Sequence, residues 1–475
     1  MKNLMSNPIL DTDSYKASHF VQYPPGTQSV YSYVEPRSNK AFSEVPFVGL
    51  HYALNRIVEN PITKEAVEQA EDFFKAHGEP FNRTGWDRIV EKYEGLPPLQ
   101  IRAVPEGTVV PIRNVCMTVE NVDHRFDLAI TSYYETQLLR GTWYASTVAA
   151  ITREVRRLYK KQLELTSDLS GQDLEMKSLF ALNDFGSRGA SSFETSAIGG
   201  FGHLTNSWGT DNVPAVALAR DYYGCQMAGY SIPASEHSTV TCWPGQQEGE
   251  KNALRNHINN FGSKENNPTG LYAFVSDSYD LFEFVSNVIG GELKDLILSQ
   301  DNTLVVRPDS GEPTVVVPEV LRRLYDRFGG RVNSKGKIVL NDKVRVIQGD
   351  GMNLQSIPIF LQSVVDAGFS VENVVMGMGG GLLQEVTRDT AGWAMKCSSI
   401  TIDGINYDVF KQPKTDMSKA SKRGRLALIR NRSGGLETIN REDLGNRRDI
   451  LEVVYDKGRI LVTPTLDDIR RLCAV

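Results

Sequence analysis

Between about residue 178 and residue 386 the chain repeats one pattern: a short uninterrupted apolar run, a polar or glycine-rich loop, then an amphipathic segment of helical period. The clearest apolar runs begin at Leu271, Thr303, Val344 and Asn373, and helical segments such as Val317 to Phe328 and Ile357 to Phe369 end at glycine. Strands apolar on both faces that alternate with helices dictate a parallel sheet covered on both sides. Right-handed crossovers then bring the carboxyl ends of all the strands to one rim, where ligands bind. We expect a closed or irregular β/α barrel over residues 151–386 rather than an open doubly wound sheet. The dinucleotide fingerprint is missing, because Gly377-Met-Gly-Gly-Gly-Leu382 fails at its last position, and no Gly-Lys-Ser/Thr phosphate loop occurs.

A chain of 475 residues exceeds one ordinary core. The flanking segments, 1–150 together with 387–475, read as a second, β-rich α+β domain. Ser29 to Glu35 alternates as a half-buried strand, Leu99 to Val104 and Gly107 to Ile112 are short strands, and Thr63 to Gly78 has the spacing, cap and stop of a helix. Further helices are expected over Leu128 to Leu139 and Ala149 to Leu165. The basic run Lys411, Lys414, Lys419, Lys422, Arg423, Arg425 reads as a solvated surface. A formal charge of −6 argues against a nucleic-acid partner. Five scattered cysteines without a Cys-x-x-Cys pair suggest neither a disulfide framework nor a zinc site. With no signal peptide and no membrane-length apolar span, the reading is a cytoplasmic protein.

The candidate site lies in the loops after the strands. His237, beside Glu236, can accept a proton or phosphoryl group near neutral pH, and the neighbouring carboxylate is expected to orient the ring. Gly349-Asp-Gly351 and Gly377 to Gly381 let backbone N–H groups approach an oxyanion closely. Arg307, Arg188 and Arg388 offer forked donors to a diphosphate. Asp309, Asp350 and Asp277 supply carboxylates to ribose hydroxyls or Mg²⁺, and Phe185 can stack on a flat base. Together these describe a phosphorylated sugar meeting a flat base.

Ordered motifs from about residue 8 to about residue 470 carry a resemblance. They are Thr12-Asp-Ser-Tyr-Lys16, Asp184-Phe-Gly-Ser-Arg-Gly189, Gly209-Thr-Asp211, Gly229-Tyr-Ser-Ile-Pro-Ala-Ser-Glu-His237, Val275-Ser-Asp-Ser-Tyr-Asp280, Arg307-Pro-Asp-Ser-Gly311, Arg345-Val-Ile-Gln-Gly-Asp-Gly351 and Gly379-Gly-Gly-Leu-Leu-Gln384. This set resembles the nicotinamide phosphoribosyltransferases among the type II phosphoribosyltransferases. The resemblance implies an irregular β/α barrel acting as a homodimer with shared active sites, which joins nicotinamide to phosphoribosyl diphosphate with Mg²⁺. ATP would be a co-substrate that transiently phosphorylates His237, and Glu236, Asp277 and Asp309 are the other catalytic candidates.

By the same resemblance, Phe185 and Tyr15 of a second copy sandwich the pyridine ring, with Asp13, Arg188 and Ser231 nearby. Gly349, Asp350, Gly379 and Gly380 hold the 5′-phosphate, Asp309 the ribose, and Arg307 and Pro308 the diphosphate side. Arg345 and Arg388 line the nucleotide site, and Arg37, Lys396 and Lys411 are basic partners at the dimer interface. Asp211 would accept from the nicotinamide NH₂ and repel a nicotinate carboxylate; local sequence equally allows it to cap a helix after Gly209-Thr210. Asn183 and Ala273 depart from the histidine and serine of animal members. The rival readings are a nicotinate phosphoribosyltransferase and a non-catalytic nucleotide-binding protein.

Overall fold

The computed structural model describes residues 4–38, 40–124, 130–415 and 420–475; Lys419 and the start of the helix expected from Leu128 lie outside them. The strands used below are, in chain order, β1 (Thr27–Glu35), β2 (Leu99–Ala103), β3 (Met117–Asn121), β4 (Leu182–Asp184), β5 (Gly209–Thr210), β6 (Leu271–Val275), β7 (Thr303–Arg307), β8 (Val344–Gln348), β9 (Val374–Met378), β10 (Ala394–Ile402), β11 (Ile405–Asp408), β12 (Glu452–Asp456) and β13 (Arg459–Ile460). The chain forms two compact units, one of residues 1–150, 218–226 and 387–474, the other of 151–217, 227–386 and 475.

The first unit is built on a seven-stranded sheet ordered β11-β10-β1-β3-β2-β12-β13, whose strands come from both chain ends. β1 sits inside this sheet, paired antiparallel with β10 and β3. The alternation in β1 suggested one solvated face, yet nearly every residue of the strand is buried. Two of its polar residues are satisfied internally: Ser29 donates to Glu120 at 2.7 Å, and Glu35 is paired with Lys422. The basic run is therefore only partly a solvated surface. Arg425 is paired with Glu120 and packs over the Tyr31 ring at 4.7 Å.

The helix Lys64–His77 forms where its pattern places it. Thr63 Oγ1 accepts from the Ala66 amide, and Gly78 closes the last turn with φ 92°, a left-handed conformation that glycine adopts without strain. The two helices expected between Leu128 and Leu165 are instead a short turn, Ile130–Tyr133, and a single 32-residue helix, Glu135–Thr166. Gly141 does not break that helix. A Cβ at position 141 would crowd Ala53, so the glycine answers a packing need rather than a turn.

The second unit carries a six-stranded sheet ordered β5-β4-β9-β8-β7-β6, and every pairing in it is parallel. Its two edges are joined by the segment Tyr230 to Ala234, which bridges Gly209 of β5 through Tyr230 and Ala273 of β6 through Ala234. The Thr210 amide donates to the Tyr230 carbonyl at 3.0 Å, and the Ala273 amide to the Pro233 carbonyl at 2.8 Å. The barrel thus closes through an irregular stave, which Pro233 keeps from pairing along its whole length because it has no N–H. Ala273, Val305 and Ile347 fill the interior with Phe185, Ile232 and Val375 against them. No helix among the described residues is long and apolar enough to cross a membrane.

Candidate active site

The parallel ladder places the loop after every barrel strand at one rim. There Arg188, Glu236, His237, Ser238, Val275, Arg307 and Asp309 line a recess of about 210 Å³. His237 opens the short helix His237–Thr241, which follows the irregular stave, so its ring is presented at the rim.

The imidazole is held from the next strand over. Asp277, just past β6, lies with Oδ1 3.1 Å from His237 Nε2, and Asp309, just past β7, has an oxygen 3.9 Å from Nδ1. The other Asp277 oxygen accepts from the amides of Asp309 and Ser310 at 3.1 and 2.6 Å and from Ser310 Oγ at 2.5 Å. Burial works against ionisation of Asp277, but the Ser310 hydroxyl, His237 and the two amides outweigh it and hold the carboxyl below its usual range.

Glu236 does not orient the ring, contrary to expectation. Its carboxylate accepts from Ser238 Oγ and caps the helix that His237 begins. Adjacent residues at a helix start point in different directions, so the residue next in sequence is poorly placed to hold the imidazole.

Arg307, at the end of β7, donates to Asp309 Oδ1 from Nε at 3.1 Å and Nη2 at 2.6 Å. Its guanidinium carbon lies 5.8 Å from the centre of the Phe185 ring, a cation–π arrangement. Phe185 follows β4, and its amide donates to the Met378 carbonyl at 3.0 Å. Asp211 occupies the corresponding place after β5. Its amide donates to the Asp184 carbonyl at 3.0 Å, and its Oδ1 accepts from Ser231 Oγ at 2.5 Å. Asp211 does not cap the following helix; Asn212 does, through the Ala215 amide. Loss of hydration raises the Asp211 pKa. Ser231 opposes that, the nearby Asp184 carboxylate adds to it, and Arg307 opposes it again.

The glycine loops sit side by side after β8 and β9. The N–H groups of Asp350, Gly351, Gly380 and Gly381 donate to no protein group among the described residues, which is the arrangement an oxyanion needs. Pro308 is buried between Arg307 and Asp309. Arg345 is placed differently. Its guanidinium donates to the Asn341 and Val344 carbonyls at 2.8 and 2.7 Å and to Asp342, at the opposite end of β8 from Gly349, so we do not retain it in the site.

Asp13, Tyr15, Arg37, Arg388, Lys396 and Lys411 belong to the first unit. Tyr15 is 56% exposed, and Asp13 accepts from Thr136 Oγ1 at 2.9 Å. Arg388 donates to the Trp393 carbonyl at 2.9 Å. Burial lowers the Lys396 pKa, and the charges of Arg37, Arg388 and Lys16 reinforce that while Glu135 opposes it.

Ser310 and the buried pair Asp184–Asn212 were not picked out from sequence. Asp184 accepts from the Gly186 amide at 2.7 Å and from Asn212 Nδ2 at 2.8 Å, which ties the Phe185 loop to the Asp211 loop. Ser310 and Asp184 lie within motifs already quoted and Asn212 just past one, but only pairing partners distant in sequence reveal what they do. No group of three or more His, Cys, Asp or Glu placed to hold a metal occurs among the described residues. Asp277 is taken up by His237, Ser310 and the Asp309 amide, and Asp309 by Arg307, so these two carboxylates do not fit a resident metal ion.

Residues 180–457 match the model of the nicotinate phosphoribosyltransferase family, and residues 7–101 match that of the nicotinamide phosphoribosyltransferase N-terminal domain. The chain is 44% identical to a nicotinamide phosphoribosyltransferase of Xanthomonas campestris, over 98% of each chain. It is 31% identical to one of Acinetobacter baylyi, over 98% of this chain and 97% of the other. Its fold is similar to the crystal structure of nicotinate-nucleotide pyrophosphorylase from Pyrococcus furiosus, with a TM-score of 0.62 at 15% identity over 100% of this chain and 96% of that one. Human nicotinic acid phosphoribosyltransferase gives a TM-score of 0.57 at 14% identity over 97% and 92%.

Proposed function

The chain belongs to the nicotinate phosphoribosyltransferase family, and on that premise we propose that it transfers phosphoribosyl from phosphoribosyl diphosphate to nicotinamide, giving nicotinamide mononucleotide and diphosphate in NAD salvage. The observation that carries the choice of the amide over the acid is Asp211. Thr210 pairs with Asp184 across β5 and β4, so Asp211 and Phe185 are the next residues on neighbouring strands. A pyridine stacked on Phe185 would then turn its 3-substituent toward a carboxylate, which accepts from an amide NH₂ and repels a second carboxylate.

As diphosphate leaves the anomeric carbon, positive charge grows on the ribose ring and negative charge on the leaving group. Arg307 and Arg188 would stabilise the leaving group, the glycine loops would hold the 5′-phosphate, and Asp309 would face the ribose. Mg²⁺ would arrive bound to the diphosphate oxygens, as a hard cation that keeps waters and takes few protein ligands. Positioning of a weakly nucleophilic pyridine nitrogen supplies the remainder. ATP coupling would run through His237. With Asp277 holding Nε2–H, Nδ1 would use its lone pair to bond the γ-phosphorus of ATP as the bond to the β,γ-bridging oxygen breaks and ADP leaves, and the ring proton stays where it is. Tyr15 of a second copy would cover the open face of the pyridine, which makes a homodimer the working unit.

The direct test is incubation with phosphoribosyl diphosphate, Mg²⁺ and either nicotinamide or nicotinate, with and without ATP, followed by detection of the mononucleotide. A clear preference for nicotinate would replace this reading with the acid-specific one, and no product from either would refute both. Asp211→Asn is expected to reduce the ratio of the two kcat/KM values by about tenfold or more, because a like-charge repulsion is removed. The raised pKa adds a pH signature. A carboxyl shifted upward takes up its proton at a higher pH than an ordinary aspartate, so the wild-type preference should narrow as pH falls, while the Asn variant stays flat. Parallel slopes for the two proteins would rule Asp211 out as the discriminating group.

A further inference from the structure

Gly377 lies within β9, where a glycine weakens the strand and needs a reason. Its backbone is not in the left-handed region, so conformation does not demand it. Its neighbour across the ladder is Asn183, two residues before Phe185.

The reason is the Phe185 ring. A Cβ built on Gly377 would overlap Phe185 Cε2 and Cδ2 and stand 2.8 Å from Cζ, and these are its three nearest atoms. A Cβ on Gly349, past the end of β8, would stand 3.1 and 3.3 Å from the same two ring atoms. Beyond it, Arg307 at the end of β7 lies near the ring. The strands follow one another in the sheet as β4, β9, β8, β7. Phe185 therefore leaves β4 and lays its ring across the ends of the next two strands toward Arg307. It can do so only where those strands carry no side chain.

We propose that Gly377, with Gly349, is a positioning residue that sets the height of the aromatic platform and so the register of the pyridine nitrogen against the anomeric carbon. The inference rests on the proposed function, because it supposes that a substrate ring stacks on Phe185. With alanine at 377 the ring must retreat by about 1 Å or more to regain ordinary carbon–carbon contact at about 3.5 Å or more.

The test is a double-mutant cycle on mononucleotide formation with wild type, Gly377→Ala, Phe185→Leu and the double variant, together with thermal unfolding midpoints. Gly377→Ala is expected to lower kcat/KM for nicotinamide by about 100-fold, the order seen when a positioning group moves by about 1 Å. In the Phe185→Leu background the same change should cost less than about threefold, because the smaller side chain can yield. Equal losses in both backgrounds, or no loss in either, would overturn the proposal. If Gly377→Ala does not fold, restoration of folding by Phe185→Leu supports the ring contact, and failure to restore it refutes the contact. An inactive wild type would instead refute the proposed function.

Discussion

Arg307→Ala is expected to lower kcat/KM for mononucleotide formation by about a thousandfold, the upper end of what removing one preorganised transition-state donor costs. The guanidinium has three engagements: Asp309 Oδ1 through Nε and Nη2, the Phe185 ring, and the recess in which diphosphate would leave. Alanine removes all three and leaves Asp309 without its cation. Lysine keeps the charge but not the fork or the planar face, so Arg307→Lys should recover only a small part of the rate. Steady-state kinetics with phosphoribosyl diphosphate varied would read both effects. A lysine variant close to wild type would show that charge alone suffices at this position.

ATP coupling should disappear in His237→Ala while ATP-independent turnover persists, and Asp277→Asn should reproduce most of that loss. The His237 side chain is 45% exposed, so its removal leaves no cavity, whereas the Asp277 side chain is only 3% exposed. An asparagine there keeps one oxygen but cannot serve both the imidazole and the three donors of Asp309 and Ser310. We expect basal turnover to fall about tenfold in Asp277→Asn and little in His237→Ala. Turnover measured with and without ATP, and acid-labile phosphoprotein after incubation with ATP, would check this. Undiminished stimulation in His237→Ala would remove the histidine from the coupling.

The depressed pKa of Asp277 also gives a stability signature. A carboxyl whose folded pKa lies below its unfolded value adds stability that is fully present above the unfolded value, about 3.9, and is lost as pH falls through the folded one. Asp277→Asn should therefore weaken the dependence of the urea midpoint on pH in the acid range while lowering it at neutral pH.

Periodicity carried the barrel strands because both faces of each are buried, and burial on two faces leaves an apolar run that is hard to mistake. The same logic failed for β1. Ser29 and Glu35 look like part of a solvated face until Glu120 and Lys422, brought from distant parts of the chain, are seen to satisfy them. Gly141 and Gly377 illustrate the same limit: Gly141 falls between two expected helices and Gly377 reads as part of an oxyanion loop, while Ala53 and Phe185 are what require them.

The site divided in the same way. Which chemical groups gather at the strand ends was legible in the order of residues, since a parallel sheet with right-handed crossovers admits one rim for the loops that follow its strands. Which carboxylate serves which partner was not. Glu236 stands beside His237 in the chain yet caps a helix, and Asp277, forty positions away, holds the imidazole. Arg345 lies on the strand that leads to Gly349 yet is consumed at its far end. Sequence determines which groups are available and which end of a strand they leave from; the direction of a side chain and the neighbour it meets depend on the packing of remote segments, and only the tertiary structure decides them.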